Sequence, residues 1–532
     1  MRGPSGRPAA LLGHKGLVVL FAVLIVLAVP AWSGPWDGPW DGPWNGPWIG
    51  PGSGWWSGAG TARAQGLQFG VHVAGEAGSF WWHLPLAASL GAGMAPLEFR
   101  WDLVEPVPGR FEWARFDAAV EAARASGMRL VGVLHYPAGL PPLSRMSRPG
   151  WPSAHVDDWD YFVERVASRY GGEIEDWIVV RGRAGRRDPI LGAAEADLDA
   201  QLVRTTAAAL KRTQPRARLL ASVPGADLRW LEVFMARGGL AEVDGLALEV
   251  NRWPAGPEGL ERVIADVRAL AAAAGAAPEL WVWRFGYPTH AGLSTTDPRR
   301  PGVTPEEQAV YVVKTHAILA SAGVSAVLWD ELVDGGPDPA DARANFGLYE
   351  SVGRGKPAAF AYATMTRMLA DLRYGWDAAA WGWDGVPGAE GGASAAEEGV
   401  LLVEAGGPGA PGGAGPEPGA DGAGPGAAGT VLDVEGAVDG GAVLAGTVLF
   451  DANAFLAEAR RQGVYVHAYP FSGRGRLVVI VWTSRRPGPL PGETVLWHLD
   501  RRPVRVYDMF GERLNEWAPA AAPLYIESAL EF

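Results

Sequence analysis

Residues 99–113 read FRWDLVEPVPGRFEW and lie between a short apolar run and a helical pattern. The apolar run, Met94–Phe99, has the length and composition of a buried strand, and an amphipathic segment, Phe116–Ser126, follows. Pro106 and Gly109 interrupt regular structure between the two. The stretch therefore predicts one strand, a loop and one helix, which is the repeating unit of a parallel α/β fold.

The same alternation recurs from Phe69 to about Leu369. Eight strands are predicted, at Phe69–Val73, Met94–Phe99, Leu130–His135, Trp177–Val180, Leu219–Ser222, Gly245–Glu249, Leu280–Arg284 and Ala326–Asp330. Helical segments between them are Phe116–Ser126, Trp159–Tyr170, Leu198–Thr213, Gly259–Ala274 and Glu306–Ala322. Eight β-then-α units predict a (β/α)₈ TIM barrel. A doubly wound sheet is the alternative, and the absence of a G-x-G-x-x-G motif after the first strand argues against it.

The first 33 residues have the composition of an export signal. Arg2, Arg7 and Lys15 precede an apolar run, Leu17–Val29. A positive segment followed by a short apolar run is typical of a signal peptide or signal anchor. The run is shorter than the roughly 20 residues of a transmembrane helix, so cleavage and retention are both open. We expect an extracellular or cell-surface protein, with the membrane as a partner if the anchor is retained.

Three further segments differ from the barrel in composition. Residues 34–66 contain a Gly-Pro-Trp repeat and residues 376–450 are rich in Gly, Ala and Pro, so both are expected to be linkers. Residues 451–532 predict a C-terminal all-β, sandwich-like domain, with strands at Val464–Tyr469, Leu477–Trp482, Thr494–His498 and Val504–Tyr507. The predicted divisions are thus 1–33, 34–66, 67–375, 376–450 and 451–532.

Composition excludes several classes of partner. The net charge is -13 and no long basic run occurs, so a nucleic acid is not expected as a partner. The chain has no cysteine, and its nine histidines show no H-E-x-x-H spacing. We therefore expect no metal site and no cofactor.

Three stretches of the chain resemble clan A glycoside hydrolases, which include family 39 β-xylosidases and family 5 cellulases. Residues 100–113 match the pattern R-W-x-x-x-E-P-x-x-G-x-(F/Y)-x-W of the second-strand region. Residues 161–177 are similar to the helix and approach of the fourth strand, and residues 506–511 to a β-sandwich that often accompanies such barrels. The resemblance implies a barrel that acts on carbohydrate, with structural roles for Glu105 and Trp113.

The resemblance also implies where two catalytic glutamates should lie. Retaining members place them about 5–5.5 Å apart, one in W-x-x-W-N-E-P after the fourth strand and one in T-E-x-G after the seventh. In this chain those positions are Gly182 and Arg284, and the asparagine becomes Arg181. Neither glycine nor arginine supplies a carboxyl group. No Asp or Glu occurs in 179–186 or 281–295, so the catalytic residues stay unassigned.

Other acids end the predicted strands. Glu249, Asp330 and Glu331 are candidates for an inverting pair, which needs about 6.5–9.5 Å between the carboxyl groups. The simpler expectation is that Glu249 pairs with Arg181 or Arg284, because an unpaired charge in a cleft is costly. Two further family positions also differ, since the second-strand arginine falls on Pro96 and the sixth-strand His-x-Tyr on Glu249 and Asn251.

Seven side chains near the predicted strand ends are candidates for contacts with a sugar, because aromatic faces stack on sugar rings and polar groups bond their hydroxyls. They are Trp101, His135, Tyr136, Arg181, Trp283, Arg284 and Trp329. The alternative for the tryptophans is packing of the barrel top. For His135 it is a hydrogen-bonded place on the rim.

Three functions are compatible with these features. The first is an exported, non-catalytic module that binds carbohydrate or another envelope glycan. The second is an active O-glycosyl hydrolase with relocated carboxylates at Glu249, Asp330 and Glu331. The third is a structural cell-surface protein. The resemblance favours carbohydrate, although a fold does not fix a function.

Overall fold

The structure is a computed structural model of the chain. It describes residues 66–73, 80–107, 109–136, 156–182, 192–293, 300–375, 448–449, 452–485, 496, 499, 503–514 and 520–529. The predicted export signal, nearly all of the Gly-Pro-Trp repeat and nearly all of the 376–450 linker lie outside these ranges. No helix in the described part of the chain is both long and apolar enough to cross a membrane.

Eight parallel strands close into a barrel in chain order, and β8 pairs with β1. They are β1 Gln68–Val71, β2 Met94–Arg100, β3 Arg129–Tyr136, β4 Asp176–Arg181, β5 Arg218–Val223, β6 Gly245–Glu249, β7 Glu279–Phe285 and β8 Ala326–Trp329. All eight predicted strands are confirmed, with ends that move by two residues at most. The predicted TIM barrel is therefore correct.

Nine helices of the described ranges accompany the barrel. They are α1 Phe80–Ser89, α2 Trp101–Val104, α3 Ala114–Ala125, α4 Val156–Tyr170, α5 Gly192–Thr213, α6 Leu228–Ala236, α7 Leu260–Ala273, α8 Pro305–Ser321 and α9 Pro357–Met368. Short 3₁₀ turns occur at Pro224–Ala226, Gly239–Glu242 and Ala342–Ala344. The start of α8 is a capping box, because Thr304 Oγ1 accepts from the amide of Glu307 and the Glu307 carboxylate accepts from that of Thr304.

Side chains of the barrel strands alternate between its interior and the helix layer. A separate interior cluster is formed by Met94, Val131, Val133, Ile178, Leu220, Ala247, Trp281, Trp283, Ala326 and Leu328. The intervening residues, such as Val179 and Val327, belong to the larger core between the strands and the helices. The orientation of each strand-end side chain therefore follows from its position in this alternation.

Strand β7 breaks the alternation near its end. Val282 pairs with Val327 and Phe285 with Trp329, so β7 has one residue more than β8 over this stretch. The β6 side shows the same excess, because Leu248 pairs with Val282 and the next residue with Arg284. Such a β-bulge redirects the side chains around it. Here it allows two consecutive residues, Trp283 and Arg284, to lie on the interior side.

The C-terminal residues form an antiparallel sheet, as the all-β prediction requires. Its order is β11-β13-β14-β17-β15-β12, and β16 pairs with β15. The strands are β11 Arg373–Tyr374, β12 Val448–Leu449, β13 Tyr465–Gly473, β14 Arg476–Ser484, β15 Pro503–Tyr507, β16 Arg513–Leu514 and β17 Leu524–Ala529. Two short strands, β9 Tyr349–Ser351 and β10 Arg354–Gly355, form a separate hairpin.

Two elements of this domain were not predicted. Helix α10, Ala452–Arg461, packs its apolar residues on the sheet, and β17 pairs with both β14 and β15. The described residues of the domain form one sheet with a helix on it rather than two stacked sheets. The predicted strand Thr494–His498 lies outside the described residues except for Leu496.

Candidate functional site

The carboxyl ends of the barrel strands are the place where barrel enzymes carry their sites. Alternation directs one residue of each strand end toward the mouth, which is the opening that these ends surround. The ring consists of His72, Glu98, His135, Gly182, Ser222, Glu249, Arg284 and Asp330. Each polar member forms an ion pair, a hydrogen bond or a longer-range electrostatic interaction with another member. We call this set the mouth ring.

Arg284 is the central cation of the mouth ring. Its Nη2 lies 3.2 Å from Glu98 Oε1 on β2, and its Nε lies 3.2 Å from Asp330 Oδ2 after β8. The guanidinium also lies over the ring of Trp283, 5.1 Å from its centre. Burial opposes the charge, but the carboxylates, Asp330 first, raise the pKa of Arg284 above its ordinary value. Arg284 thus joins two acids from strands on either side of β1.

Glu98 is held in its ionised form. Its Oε2 lies 3.6 Å from Nδ1 of His135, and its other oxygen faces Arg284. Burial raises the pKa of this carboxyl, but the nearby imidazole of His135 and the charge of Arg284 outweigh burial and lower the pKa to about 2. Glu98 is therefore an anion at any physiological pH.

His72 follows β1 and is a buried member of the mouth ring. Its Nε2 bonds the carbonyl oxygen of Trp283 at 2.5 Å, so this nitrogen carries the hydrogen. Burial lowers the pKa of His72, against the opposing pull of Asp330. The imidazole is neutral at pH 7 and adds no charge to the mouth.

Strand β4 presents Gly182 to the mouth and sends Arg181 the other way. The Gly182 amide donates to the carbonyl oxygen of Tyr136 at 2.6 Å, which fixes its backbone beside β3. Arg181 Nε lies 2.5 Å from Asp199 Oδ1 on α5, and Nη2 lies 3.8 Å from Glu195. Arg181 was predicted to contact a ligand in the cleft. Alternation after the interior residue Val180 directs its side chain toward Asp199 on α5. Arg181 also lines a small cavity together with Ser222 and Glu249, so its contact with a ligand stays a prediction.

Glu249 has a neutral partner. Its Oε1 accepts a hydrogen bond from the hydroxyl of Ser222 at 3.0 Å. The expected ion pair with Arg181 or Arg284 is not the arrangement found, since Arg181 bonds Asp199 and Arg284 bonds Glu98 and Asp330. Glu249 influences Arg284 only through longer-range electrostatics.

Glu331 follows Asp330 in the loop after β8, and its Oε1 is buried there. Burial raises the pKa of Glu331 to about 8, and the negative charges of Asp330 and Asp334 act in the same direction. Its carbonyl oxygen accepts from the amide of Leu348 at 3.0 Å. The loop is also held by Lys356, whose Nζ lies 2.8 Å from Asp334 Oδ1 in a buried ion pair. Glu331 is thus a protonated carboxyl group at pH 7 in a fixed loop.

Four of the predicted aromatic contacts are wrong. Trp101, Tyr136, Trp283 and Trp329 are only 1%, 2%, 1% and 0% exposed, so no ring face is open to a sugar. Trp101 packs on Tyr136 and Trp159 in the helix layer, and Trp329 packs on Phe285. Trp283 fills the barrel interior below Arg284. Packing of the barrel top, the alternative for the tryptophans, is what the structure has.

The long motif of 99–113 has a structural role. Glu105 accepts from Trp101 Nε1 at 2.9 Å and from the amide of Gly109 at 2.6 Å. Trp113 stacks on Phe111 with ring centres 4.9 Å apart. The motif therefore closes the loop after β2, as expected for Glu105 and Trp113.

Three members of the mouth ring, His72, Glu98 and Ser222, were not assigned a contact role from the sequence. Counting in steps of two along each strand would have found them, because His72 follows the interior position Gly70, and Ser222 follows Leu220. In the described residues, no group of three or more His, Asp or Glu side chains is arranged to hold a metal ion.

Comparison with known proteins gives matches in structure alone. No family model and no curated protein matches the sequence. A family 39 glycoside hydrolase from the gut symbiont Bacteroides cellulosilyticus WH2 is similar, with 14% identity, a TM-score of 0.57 and coverage of 88% of this chain and 82% of that chain. A GH10 endoxylanase from a sugarcane soil metagenome covers 57% of this chain and 98% of its own, at 17% identity and a TM-score of 0.43.

The first similarity confirms the predicted fold. Together with the closed parallel barrel, it bears out the resemblance to clan A glycoside hydrolases in architecture. Gly182 follows β4, and Arg284 is the last residue but one of β7. These are the strands on which that resemblance places the two catalytic glutamates.

Proposed function

We propose that this protein is an exported, non-catalytic barrel that binds carbohydrate or an envelope glycan in the mouth of a glycoside-hydrolase-like fold. The observation that carries the proposal is the position of Arg284. A guanidinium stands at the end of β7, where the resemblance expects a nucleophile, and it lies 3.2 Å from both Glu98 and Asp330.

The chemistry of glycosyl transfer supports this proposal. A retaining enzyme needs one carboxyl group that donates a proton and a second that attacks the anomeric carbon. Gly182 has no side chain, and an arginine remains protonated. Glu98 has a pKa of about 2 and cannot serve as the acid at neutral pH. The described members of the mouth ring therefore do not provide one proton-donating carboxyl group and one nucleophilic carboxylate at the expected positions.

The same ring retains what binding needs. Hydroxyl groups of a sugar both donate and accept hydrogen bonds, and the ring offers carboxylate acceptors at Glu98, Glu249 and Asp330 beside the donor Arg284. The acids and the arginine hold one another in place, so the groups are pre-organised. Aromatic stacking contributes nothing from the four buried rings, and we expect affinity from hydrogen bonds.

Export is part of the proposal. Its support is the sequence of the first 33 residues, in which three basic residues precede the apolar run Leu17–Val29. A protein delivered outside the cell meets glycans there, and an anchor, if retained, would keep it at the membrane surface.

The test combines binding and hydrolysis. The purified full-length chain is screened on a glycan array, and the same preparation is incubated with aryl glycosides of the common sugars. We expect selective binding without release of the aryl group, and loss of that binding in Asp330→Asn. Turnover that Glu249→Gln or Asp330→Asn abolishes would overturn the non-catalytic proposal.

One observation favours a second candidate, hydrolysis by relocated carboxylates. Burial raises the pKa of Glu331 to about 8, so it bears a proton beside Asp330, and a proton-bearing acid beside a second carboxyl group is a usual arrangement for general acid catalysis. Glu331→Gln separates the two candidates. It should abolish any turnover if Glu331 is the acid, and it should leave glycan binding intact.

A further inference from the structure

The C-terminal sheet shares a core with the barrel, although the proposed function gives the sheet no role. Tyr469, Phe471, Ile480 and Trp482, from β13 and β14, belong to the same buried cluster as the helix layer of the barrel. Side chains of the other face, such as Val479, pack against α10 instead. One face of the sheet is therefore in close contact with the barrel, as the two sides of a single core are.

Lys314 of α8 lies at this contact between the barrel and the sheet. Its Nζ lies over the ring of Trp482, 5.4 Å from the ring centre, and forms an ion pair with Glu258 Oε1 at 3.0 Å. Trp482 is itself stacked on Tyr469, with ring centres 4.6 Å apart. Only 6% of the Lys314 side chain is exposed. A buried ammonium depends on such partners, so a ring of the sheet and a carboxylate of the barrel together fix its position.

Glu258 depends on Lys314 in return. Burial raises the pKa of Glu258, but the charge of Lys314 outweighs burial and lowers the pKa below its ordinary value. Loss of one partner of such a pair leaves the other charge in a partly buried place at a large cost. Without Lys314, Glu258 would therefore move toward solvent and take its backbone with it.

Glu258 lies at the far end of the loop that follows β6 at the mouth. This loop begins after Glu249 of the mouth ring, and the amide of Val250 donates to the carbonyl oxygen of Arg284 at 3.1 Å. Arg252 closes the loop, because its Nη2 donates to the carbonyl oxygen of Glu258 at 2.7 Å. The loop thus has one end in the mouth ring and the other in the buried ion pair.

We propose that Lys314 is a positioning residue for the mouth. Held on Trp482 of the C-terminal sheet, it fixes Glu258 and with it the loop that carries Glu249 and bonds the backbone of Arg284. This inference rests on the proposed glycan-binding function and gives the C-terminal sheet a part in it. Groups that are held in place before a ligand arrives lose less entropy on binding, so a sheet outside the mouth raises the affinity of the mouth.

The first test needs no glycan and follows amide hydrogen exchange of the full-length chain by mass spectrometry. Residues 250–259 should exchange about tenfold faster in Lys314→Met, the effect of losing one hydrogen bond to a charged group. Arg218→Met is the matched control, because Arg218 begins β5 at the opposite end of the barrel and pairs there with Asp176 at 2.7 Å. It also removes a mostly buried cation, yet exchange in 250–259 should stay unchanged. Unchanged exchange of this loop in a folded Lys314→Met would overturn the proposal.

The second test measures affinity for a glycan that the array identifies, by calorimetric titration. Affinity should fall about fivefold in Lys314→Met, at the low end of the coupling found between distant sites. Lys314→Arg keeps a cation for both partners and should restore most of that affinity, and Arg218→Met should bind as the unmodified chain does. If Lys314→Met and Arg218→Met both lose stability and both keep full affinity, the ion pair is structural and the positioning role is wrong.

Two more variants address the sheet and guard against a folding defect. Trp482→Leu removes the ring on the sheet side and leaves the ion pair intact, and Glu258→Gln removes the charge on the loop side. Both should speed exchange in 250–259 and weaken glycan binding, as Lys314→Met does. No effect of a folded Trp482→Leu would overturn the part of the sheet. Failure of every glycan on the array to bind would overturn the proposed function, and loop exchange would then still decide whether the sheet holds the loop.

Discussion

Arg181 and Arg284 lie near the carboxyl ends of two strands of one barrel, and both were expected in the cleft, yet their surroundings differ. Arg181 turns outward, where Asp199 of α5 binds it and only 13% of its side chain is exposed. Arg284 turns into the mouth, bridges Glu98 and Asp330, and leaves 43% of its side chain exposed. An outward arginine holds a helix to a strand, whereas an inward one determines what a ligand meets.

The cause of the difference is backbone register. Strand β4 keeps a regular alternation, so the residue after interior Val180 points to the helices. Strand β7 carries an extra residue between Val282 and Phe285, which lets Arg284 follow Trp283 into the interior. One bulge thus separates a cation of the helix layer from a cation of the mouth ring.

The largest expected effect is at Arg181. Arg181→Met removes the charge that neutralises Asp199, and loss of one partner of a buried pair costs about 3 kcal/mol. The free energy of unfolding, measured by urea denaturation, should fall by that amount while glycan affinity of the folded protein stays unchanged. Asp199→Asn in the same chain removes the carboxylate charge and keeps the acceptor for Trp230, so the double variant should recover stability. No recovery would contradict the assignment.

Arg284→Ala should have the opposite balance of effects, with a small loss of stability and a large loss of glycan affinity. Because the guanidinium is partly exposed, solvent screens its two ion pairs, and the expected loss of stability is about 1 kcal/mol. Glycan affinity should fall much further, since the substitution frees Glu98 and Asp330 to repel each other in the ring. A variant that loses stability as Arg181→Met does, but binds as before, would place Arg284 among the structural arginines.

An effect that depends on pH concerns the acid beside Asp330. The folded pKa of Glu331 is about 8 against an ordinary 4.5, so folding binds a proton in this window. The stability that Glu331 contributes is fully present below pH 4.5 and is lost as the pH rises through 8. Glu331→Gln should therefore unfold at a higher urea concentration than the unmodified chain at pH 9, and the difference between the two should shrink as the pH falls toward 4.5. Identical pH profiles would contradict the raised pKa.

Much of this architecture was predictable from the sequence. Short apolar runs separated by amphipathic segments locate all eight strands, because a buried parallel strand and a half-buried helix have different apolar periods. Counting along β8 would also have placed Trp329 among the helices, since Leu328 is interior. Trp329 was instead predicted to face a sugar, which overlooked that alternation.

The site itself was less predictable. The bulge in β7 cannot be recognised from the residue types of Trp283 and Arg284. Regular alternation would have directed Arg284 outward. The ion pairs of the mouth join residues far apart in the chain, as Glu98 and Arg284 do. Which residues pair depends on how far their side chains reach across the barrel, and the sequence shows only which residues carry a charge.

The most direct test of the central claim follows one bound oligosaccharide over time. A glycan that the array identifies as a ligand is incubated with the full-length chain for days, and its length is measured by mass spectrometry beside its affinity. We expect a ligand that binds through the mouth ring, releases on Arg284→Ala and remains intact. Shortened products that disappear in Asp330→Asn or Glu331→Gln would show an active hydrolase and contradict the account.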